Sequence, residues 1–330
     1  MASVRVIQRL EHSDASGAKR TWAARWNHNG TLLASCGENK SVKIWHRNTG
    51  KNELVPLTTI SGDHSRSVRY VEFSPCGSFL VTVGFDAVIF VYQYSKGDFE
   101  EVTQMEGHEN EIKCCAFSPS GTHLASCSRD KSVWFWRMDE DDDFQVTSVL
   151  QPHTGDVKFV AWHPSEDLLV SCSYDCSIKF YRFDGEEWVT QQRIENAHDC
   201  TVWSASFDSS GNYLATSGAD CRVNIWKRIS DESTTSISTS SWKKICQFEV
   251  NGRWPLYSIS WNHVNDLLAV GGGDSKIRLL QFDRESETLT EVSTLRMEDE
   301  VNNVSWNPAE ANLLAVSCDD GSVAICELQG

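Results

Sequence analysis

EGHENEIKCCAFSPSGTHLASCSRDKSVWFW, residues 106–136, contains three short strands and the turns that join them. A Gly107-His108 pair leads into a first strand, IKCCAF. The turn SPSG, residues 118–121, reverses the chain into LASCS, residues 124–128. A tight turn on Arg129-Asp130-Lys131 then delivers SVWFW, residues 132–136. Short alternating strands with turn residues roughly every ten positions are what one blade of an antiparallel all-β array needs.

The unit recurs along the chain. Asp130 has counterparts at Asp86, Asp175 and Asp220, each between a small-residue strand and an apolar one. Asn39 takes the same place before SVKIW, Asp274 before SKIRLL and Asp320 before GSVAIC. From Asn39 to Asp320 the intervals are 47, 44, 45, 45, 54 and 46 residues, so seven repeats fill the chain. This period resembles that of WD repeats, in which each repeat forms a four-stranded propeller blade. The expected fold is therefore all-β, a single seven-bladed β-propeller over residues 1–330. Residues 4–12, VRVIQRLEH, read as an outer strand with nothing before it, and the last repeat stops after its third strand near Leu328. The N-terminal strand is expected to complete the final blade, which removes exposed sheet edges.

Each repeat also encodes a chain of polar side chains. In the third it is Trp136, Ser126, Asp130 and His108; in the fifth, Trp226, Thr216, Asp220 and His198. The second and fourth use Tyr92 and Tyr181 in place of Trp, with His64 and His153; the first has His12, Ser35 and Trp45. The sixth and seventh carry Leu280 and Cys326 instead and lack the His, so they are expected to be the softer part of the ring.

Composition narrows the function. Thirty basic against 46 acidic residues give a net charge of −16, which argues against wholesale nucleic-acid binding. No run approaches about 18 apolar residues, and the N-terminus lacks a charged-then-apolar leader pattern. A soluble intracellular protein is expected. Of the twelve cysteines, Cys36, Cys127, Cys172 and Cys318 occupy one repeat position, where other repeats place Ser217, Gly271 and Val83. They read as small buried residues on separate blades, and no CxxC occurs. No cofactor or metal site is expected.

Propeller geometry puts the d–a loop, the start of strand a and the b–c turn around one mouth of the channel, here called the top. The top positions are Arg20 and Trp22 in blade one, Arg69 and Phe85 in two, Lys113 and Arg129 in three, and Lys158 and Tyr174 in four. Blade five offers Trp203 and blade six Tyr257. A basic, aromatic rim on an acidic disc suits an acidic protein surface, and Trp, Tyr and Arg dominate binding hot spots. The competing reading pairs each cation with a neighbouring acid such as Glu111 or Asp156. The acidic runs 98–101, 139–143 and 185–187 are expected in c–d loops on the opposite side. Arg129 is the leading single candidate, since a guanidinium can take a carboxylate bidentately. The polar segment 229–241, ISDESTTSISTSS, accounts for the long fifth interval and reads as an extended loop.

Several stretches carry a narrower resemblance: EGHENEIK (106–113), SCSRDKSVWFW (126–136), PHTGDVK (152–158), AWHPS (161–165), and SPCG (74–77) ahead of FDA (85–87). Together they resemble the eukaryotic cytosolic iron–sulfur protein assembly WD-repeat family. The resemblance implies a non-enzymatic docking subunit that serves delivery of iron–sulfur clusters to cytosolic and nuclear apoproteins. Implied partners are a HEAT-repeat adaptor, a small cluster-targeting subunit, an iron-only-hydrogenase-like cluster carrier and the client apoproteins. It implies a cytoplasmic location with the nucleus as a second compartment, and it places recognition at Arg129. The family's Leu-Tyr-Arg tripeptide, proposed to recruit a cochaperone, is Phe180-Tyr181-Arg182 here. Tyr181 also fills a structural repeat position, so its ring is expected to be buried.

Two other classes compete with this reading. A ubiquitin-ligase substrate receptor typically follows the blade Trp with an acid and then an Arg; here Trp45, Trp136 and Trp226 are followed by His46, Arg137 and Lys227. An enzyme needs converging nucleophile, base and oxyanion donors, or three metal ligands. His12, His64, His108, His153 and His198 are used at repeat positions, and His28, His163 and His263 fall in a–b turns on the far side.

Overall fold

The computed structural model describes residues 3–13, 17, 19–48, 50–51, 53–139, 143–230 and 240–329. The acidic positions 140–142 and most of the 229–241 segment lie outside the described residues. Among those described, every helix or strand is a strand, and the strands form seven antiparallel sheets of four. In blade three, strand a is Ile112–Phe117, b His123–Ser128, c Val133–Met138 and d Phe144–Leu150. Blade seven draws strands a to c from Val301–Trp306, Leu313–Cys318 and Ser322–Gln329, and strand d from Ser3–Glu11. Its register runs from Ser3 opposite Gln329 to Glu11 opposite Ser322, so the two chain ends close the ring within one sheet.

Strand b is the most enclosed of the four, covered on both faces by neighbouring blades. LLASCG, FLVTVG and LLVSCS are buried at every residue. This explains the small residues there, since a bulky side chain would force adjacent blades apart. Cys36, Cys127, Cys172 and Cys318 all sit in it, and burial pushes the Cys36 thiol up to about 12.

The polar chains form as the repeats encode. In blade three Trp136 donates to Ser126 Oγ at 2.9 Å, Ser126 meets His108 Nε2 at 2.8 Å, and His108 Nδ1 meets Asp130 at 2.8 Å. The carboxylate only accepts, so Nδ1 carries the proton and Nε2 accepts from the serine. Blade five repeats this through Trp226, Thr216, His198 and Asp220. Blade four repeats it through Tyr181, Ser171, His153 and Asp175, and Tyr181 is fully buried.

Two blades depart from the expected chain. In blade two the Tyr92 hydroxyl donates instead to Asp63 at 2.8 Å, an acceptor that stands just before His64 where blade four has Pro152 before His153. In blade one the His12 ring is reversed: Nδ1 meets Ser35 and Nε2 meets Asn39 Oδ1 at 3.0 Å, while the Asn39 amide donates back to the His12 carbonyl. A carboxylate could not make that return bond.

Blade six replaces the network with an ion pair of its own, in which the buried Arg278 clasps Asp274. In blade seven Asp320 caps Ser322 and lies 3.8 Å from Arg9. Amide exchange is expected to be fastest in the b–c region of blade seven, intermediate in six and slowest in three to five. Mass-resolved exchange that is uniform around the ring would contradict this order.

On the bottom face, a–b turns stitch blade to blade. His163 Nε2 donates to the Gly211 carbonyl at 3.0 Å, Asn262 to Ala311 and Asn307 to Gly30. Gly211 has φ +71, and a Cβ there would strike the His163 ring. Burial holds His163 below the usual histidine range, consistent with its role as a neutral donor. One acidic run is placed differently from expectation: Asp98–Met105 is strand d of blade two, with Phe99 turned inward onto Tyr94 at 4.8 Å. Alternation along that strand buries Phe99 and exposes the acids beside it.

Candidate functional site: the top mouth of the channel

All seven blades share one irregularity. The pairing of strand a with strand b skips the second residue of strand a, which is Trp22, Arg69, Lys113, Lys158, Trp203, Tyr257 and Asn302 in turn. A bulge breaks the strict alternation of faces and re-aims the side chain. Each b–c turn is fastened beside the bulge by the same backbone bond, such as Arg129 N to Glu111 O at 2.9 Å and Tyr174 N to Asp156 O at 2.9 Å. The mouth is thus two tiers: the bulge residues inside, and the turn residues Glu38, Phe85, Arg129, Tyr174 and Asp319 above them.

The inner tier is segregated by charge. Arg69, Lys113 and Lys158 come from three consecutive blades, and the tryptophans Trp22 and Trp203 bracket them. Cations and rings interleave as expected. Arg20 and Arg69 lie over Trp22 at 5.7 and 5.4 Å, Lys113 over Phe85 at 4.3 Å, and Lys158 over Trp203 at 5.2 Å and Tyr174 at 5.7 Å. Trp203 meets Tyr257 edge-on at 5.2 Å. All ten anticipated residues therefore belong to one contiguous surface.

They are not equally free. Lys113 donates to Glu111 at 2.6 Å and Lys158 to Asp156 at 2.9 Å, and both side chains are only 13% and 12% exposed. For these two the pairing with neighbouring acids is what the structure shows. Burial, with the nearby Arg69 and Lys158 charges, holds Lys113 below the usual lysine value although Glu111 opposes this. Arg20 pairs with Asp319 at 3.2 Å. Arg129 is 54% exposed and lies 3.8 Å from Glu111. Glu111 is already engaged by Lys113 and, at 3.0 Å, by Arg66, so Arg129 is the least committed cation of the outer tier. Tyr174, at 62% exposed, is the most accessible ring there.

Sequence reading missed Arg66, whose guanidinium lies 5.8 Å from the Phe85 ring, and Trp254, an exposed ring with Arg253 at 5.6 Å. Both sit in d–a loops outside the repeat positions, so periodicity gave no signal for them.

Below the mouth the channel is crossed by the Tyr70 and Phe159 rings, 5.8 Å apart, from blades two and four. Beneath them two cavities of about 310 and 250 Å³ are lined by the Arg25–Glu72 pair at 3.0 Å and by small residues such as Ser206 and Ser260. Among the described residues, no group of three or more His, Cys, Asp or Glu side chains is placed to hold a metal ion, and no helix is long and apolar enough to cross a membrane.

Comparison with known proteins agrees with this architecture. The "WD domain, G-beta repeat" family matches residues 6–46, 54–93, 99–137, 144–182 and 189–227. The "anaphase-promoting complex subunit 4 WD40 domain" family matches residues 259–330. The chain is 50% identical over 319 residues to a probable cytosolic iron-sulfur protein assembly protein CIAO1 homolog of Caenorhabditis elegans, covering 94% of each chain. It is 43% identical over 122 residues to a probable cytosolic Fe-S cluster assembly factor of Schizosaccharomyces japonicus, covering 37% of this chain and 19% of that protein. A probable cytosolic iron-sulfur protein assembly protein 1 of Mycosarcoma maydis is 31% identical over 188 residues, covering 43% of this chain and 39% of that one. Seven four-stranded blades, the repeated polar chain and near full-length similarity together assign the chain to the WD-repeat family of cytosolic iron–sulfur protein assembly proteins.

Proposed function

We propose that this chain is a non-catalytic docking subunit in the assembly of cytosolic and nuclear iron–sulfur proteins, binding its partners through the top face. The observation that carries this reading is the contiguous arc of Arg69, Lys113 and Lys158, roofed by the exposed Arg129 and Tyr174. An overall charge of −16 would repel acidic proteins, whereas a local cationic and aromatic mouth gives them a docking point of defined geometry. The partners this fits are the HEAT-repeat adaptor, the small cluster-targeting subunit, the hydrogenase-like cluster carrier and client apoproteins. The working compartment is the cytosol, as in the names of the relatives, with nuclear clients served from the same complex.

The test is affinity purification with native protein and Arg129→Glu. The variant is expected to lose at least one partner, with affinity falling about tenfold to a hundredfold, or about 1.4–2.8 kcal/mol. Its melting temperature should move by no more than about 2 °C, because an exposed ion pair contributes little to stability. A folded variant that keeps every partner at native affinity would refute the assignment.

A further inference from the structure

A β-sheet edge offers a row of unpaired backbone N–H and C=O groups, and proteins blunt it with charge or proline. Strand d is the outer edge of every blade, paired only with strand c. Blade one guards it with Pro56, blade two with Glu100 and Glu101, blade four with Arg193, blade five with Lys243 and Lys244, blade six with Glu291, and blade seven with Arg5 and Arg9. Blade three is the exception: its outer strand, Phe144–Leu150, reads FQVTSVL, with no charge and no proline. The same strand exposes Val146 and Val149, at 46% and 47%. Its pairing with strand c skips Thr147, so Val146 lies opposite Trp136 and Val149 opposite Trp134. Those partners alternate on strand c, which puts both valines on one face of the sheet. An open hollow of about 500 Å³ lies beside Val146, lined also by Met138, Arg137 and Thr122.

We propose that this edge is a second docking site, which takes an extended basic segment of a partner protein as a fifth strand of blade three. Main-chain hydrogen bonds along residues 144–150 supply the affinity, and side chains set beside Val146 and Val149 supply the selectivity. Charge decides the occupant. The outer strands of blades two and three contain no basic residue. Asp98, Glu100 and Glu101 stand exposed on the first, and the exposed Asp143 directly precedes the second. A strand that carries lysine or arginine, with two apolar residues on one face, suits that wall. A second copy of the chain does not, since it brings the same acids together under a net charge of −16 on each molecule. The site lies on the circumference of the disc, away from the channel mouth, and goes beyond the role given to the top face.

The probe is a fluorescein-labelled short peptide of alternating valine and lysine, added to the full chain. Binding, followed by anisotropy, is expected to slow amide exchange several-fold across residues 144–150 and not in the outer strands of the other blades. Val146→Lys combined with Val149→Lys should weaken binding about tenfold or more, because charge on an edge blocks strand addition. Both side chains are exposed, so the melting temperature should stay close to native. Should the double variant not fold, the same peptide with a central proline gives the answer on native protein, where no protection is expected. Arg129→Glu should bind the peptide as native protein does, which separates this site from the top-face assignment; a loss there would place the peptide at the mouth and overturn the edge site. Protection by the proline peptide, equal protection of another outer strand, or undiminished binding by the folded double variant would also overturn it. A valine–glutamate peptide that binds as tightly would rule out the basic partner. A dimer of native protein that the double variant abolishes would overturn the proposal in favour of a second copy.

Discussion

Replacing Asp130 by Ala is expected to lower the unfolding free energy of the ring by about 3 kcal/mol, although the side chain lies at a surface turn. Asp130 accepts from His108 Nδ1 at 2.8 Å, from the backbone N–H groups of Ser132 and Glu109 at 2.9 and 3.0 Å, and from the Ser132 hydroxyl. His108 and Ser132 are buried, so truncation strands donors that water cannot reach. The loss extends further, because His108 orients Ser126 and Ser126 holds the Trp136 indole.

The effect carries a pH signature. Burial alone would raise the Asp130 carboxyl, but the bonds from His108 and Ser132 hold it well below the ordinary carboxylate range, and Asp86, Asp175 and Asp220 are depressed similarly. A depressed folded value means the stabilisation is complete above the unfolded value of about 3.9 and fades as pH falls below it. The gap between native protein and Asp130→Ala should therefore narrow below about pH 4. Denaturant titration at pH 7 and pH 3 measures both quantities. A cost under about 1 kcal/mol at pH 7, or a gap independent of pH, would mean that the Asp–His link is not what secures the blade.

A larger loss, about 4 kcal/mol, is expected for Trp188→Ala. Trp188 opens strand d of blade four, yet its ring lies flat on Phe135 of blade three at 4.3 Å and 7° and edge-on to Trp162 at 5.2 Å. It is 1% exposed, so the vacated volume cannot fill with neighbouring side chains without shifting two blades. The same arrangement recurs one blade on, with Phe180 against Trp242 at 5.1 Å and 2°. Because the Trp188 indole N–H has no acceptor, Trp188→Phe should cost much less, under about 1.5 kcal/mol. Guanidinium midpoints of the two variants decide this. Equal losses would show that a single stacked ring does not secure this position and that the full indole area is needed.

How much of the site could be foreseen follows from where each contact comes from. Nine of the ten rim residues were legible because the second position of strand a and the residue before the turn aspartate recur in every blade, and the propeller brings them to one mouth; the tenth, Arg20, directly precedes strand a of blade one. Their inequality was not legible. Arg69, Lys113 and Lys158 occupy the same repeat position, but Glu111 and Asp156 lie two residues before the lysines, whereas Ser67 stands there in blade two. Arg66 could have supplied a warning, but it turns to Glu111 of the next blade, 45 residues away.

The repeats by themselves determined the strands, the number of blades, the closing of the ring by its N-terminal strand and most of the polar chains, because those interactions form within one unit of about 45 residues or between its two recurring ends. Only the tertiary structure decided which cations are neutralised, which way the bulges aim them, and that Tyr70 and Phe159 cross the channel. Those outcomes depend on side chains from different blades meeting about a common axis, and a repeat pattern carries no information about its neighbour's exceptions.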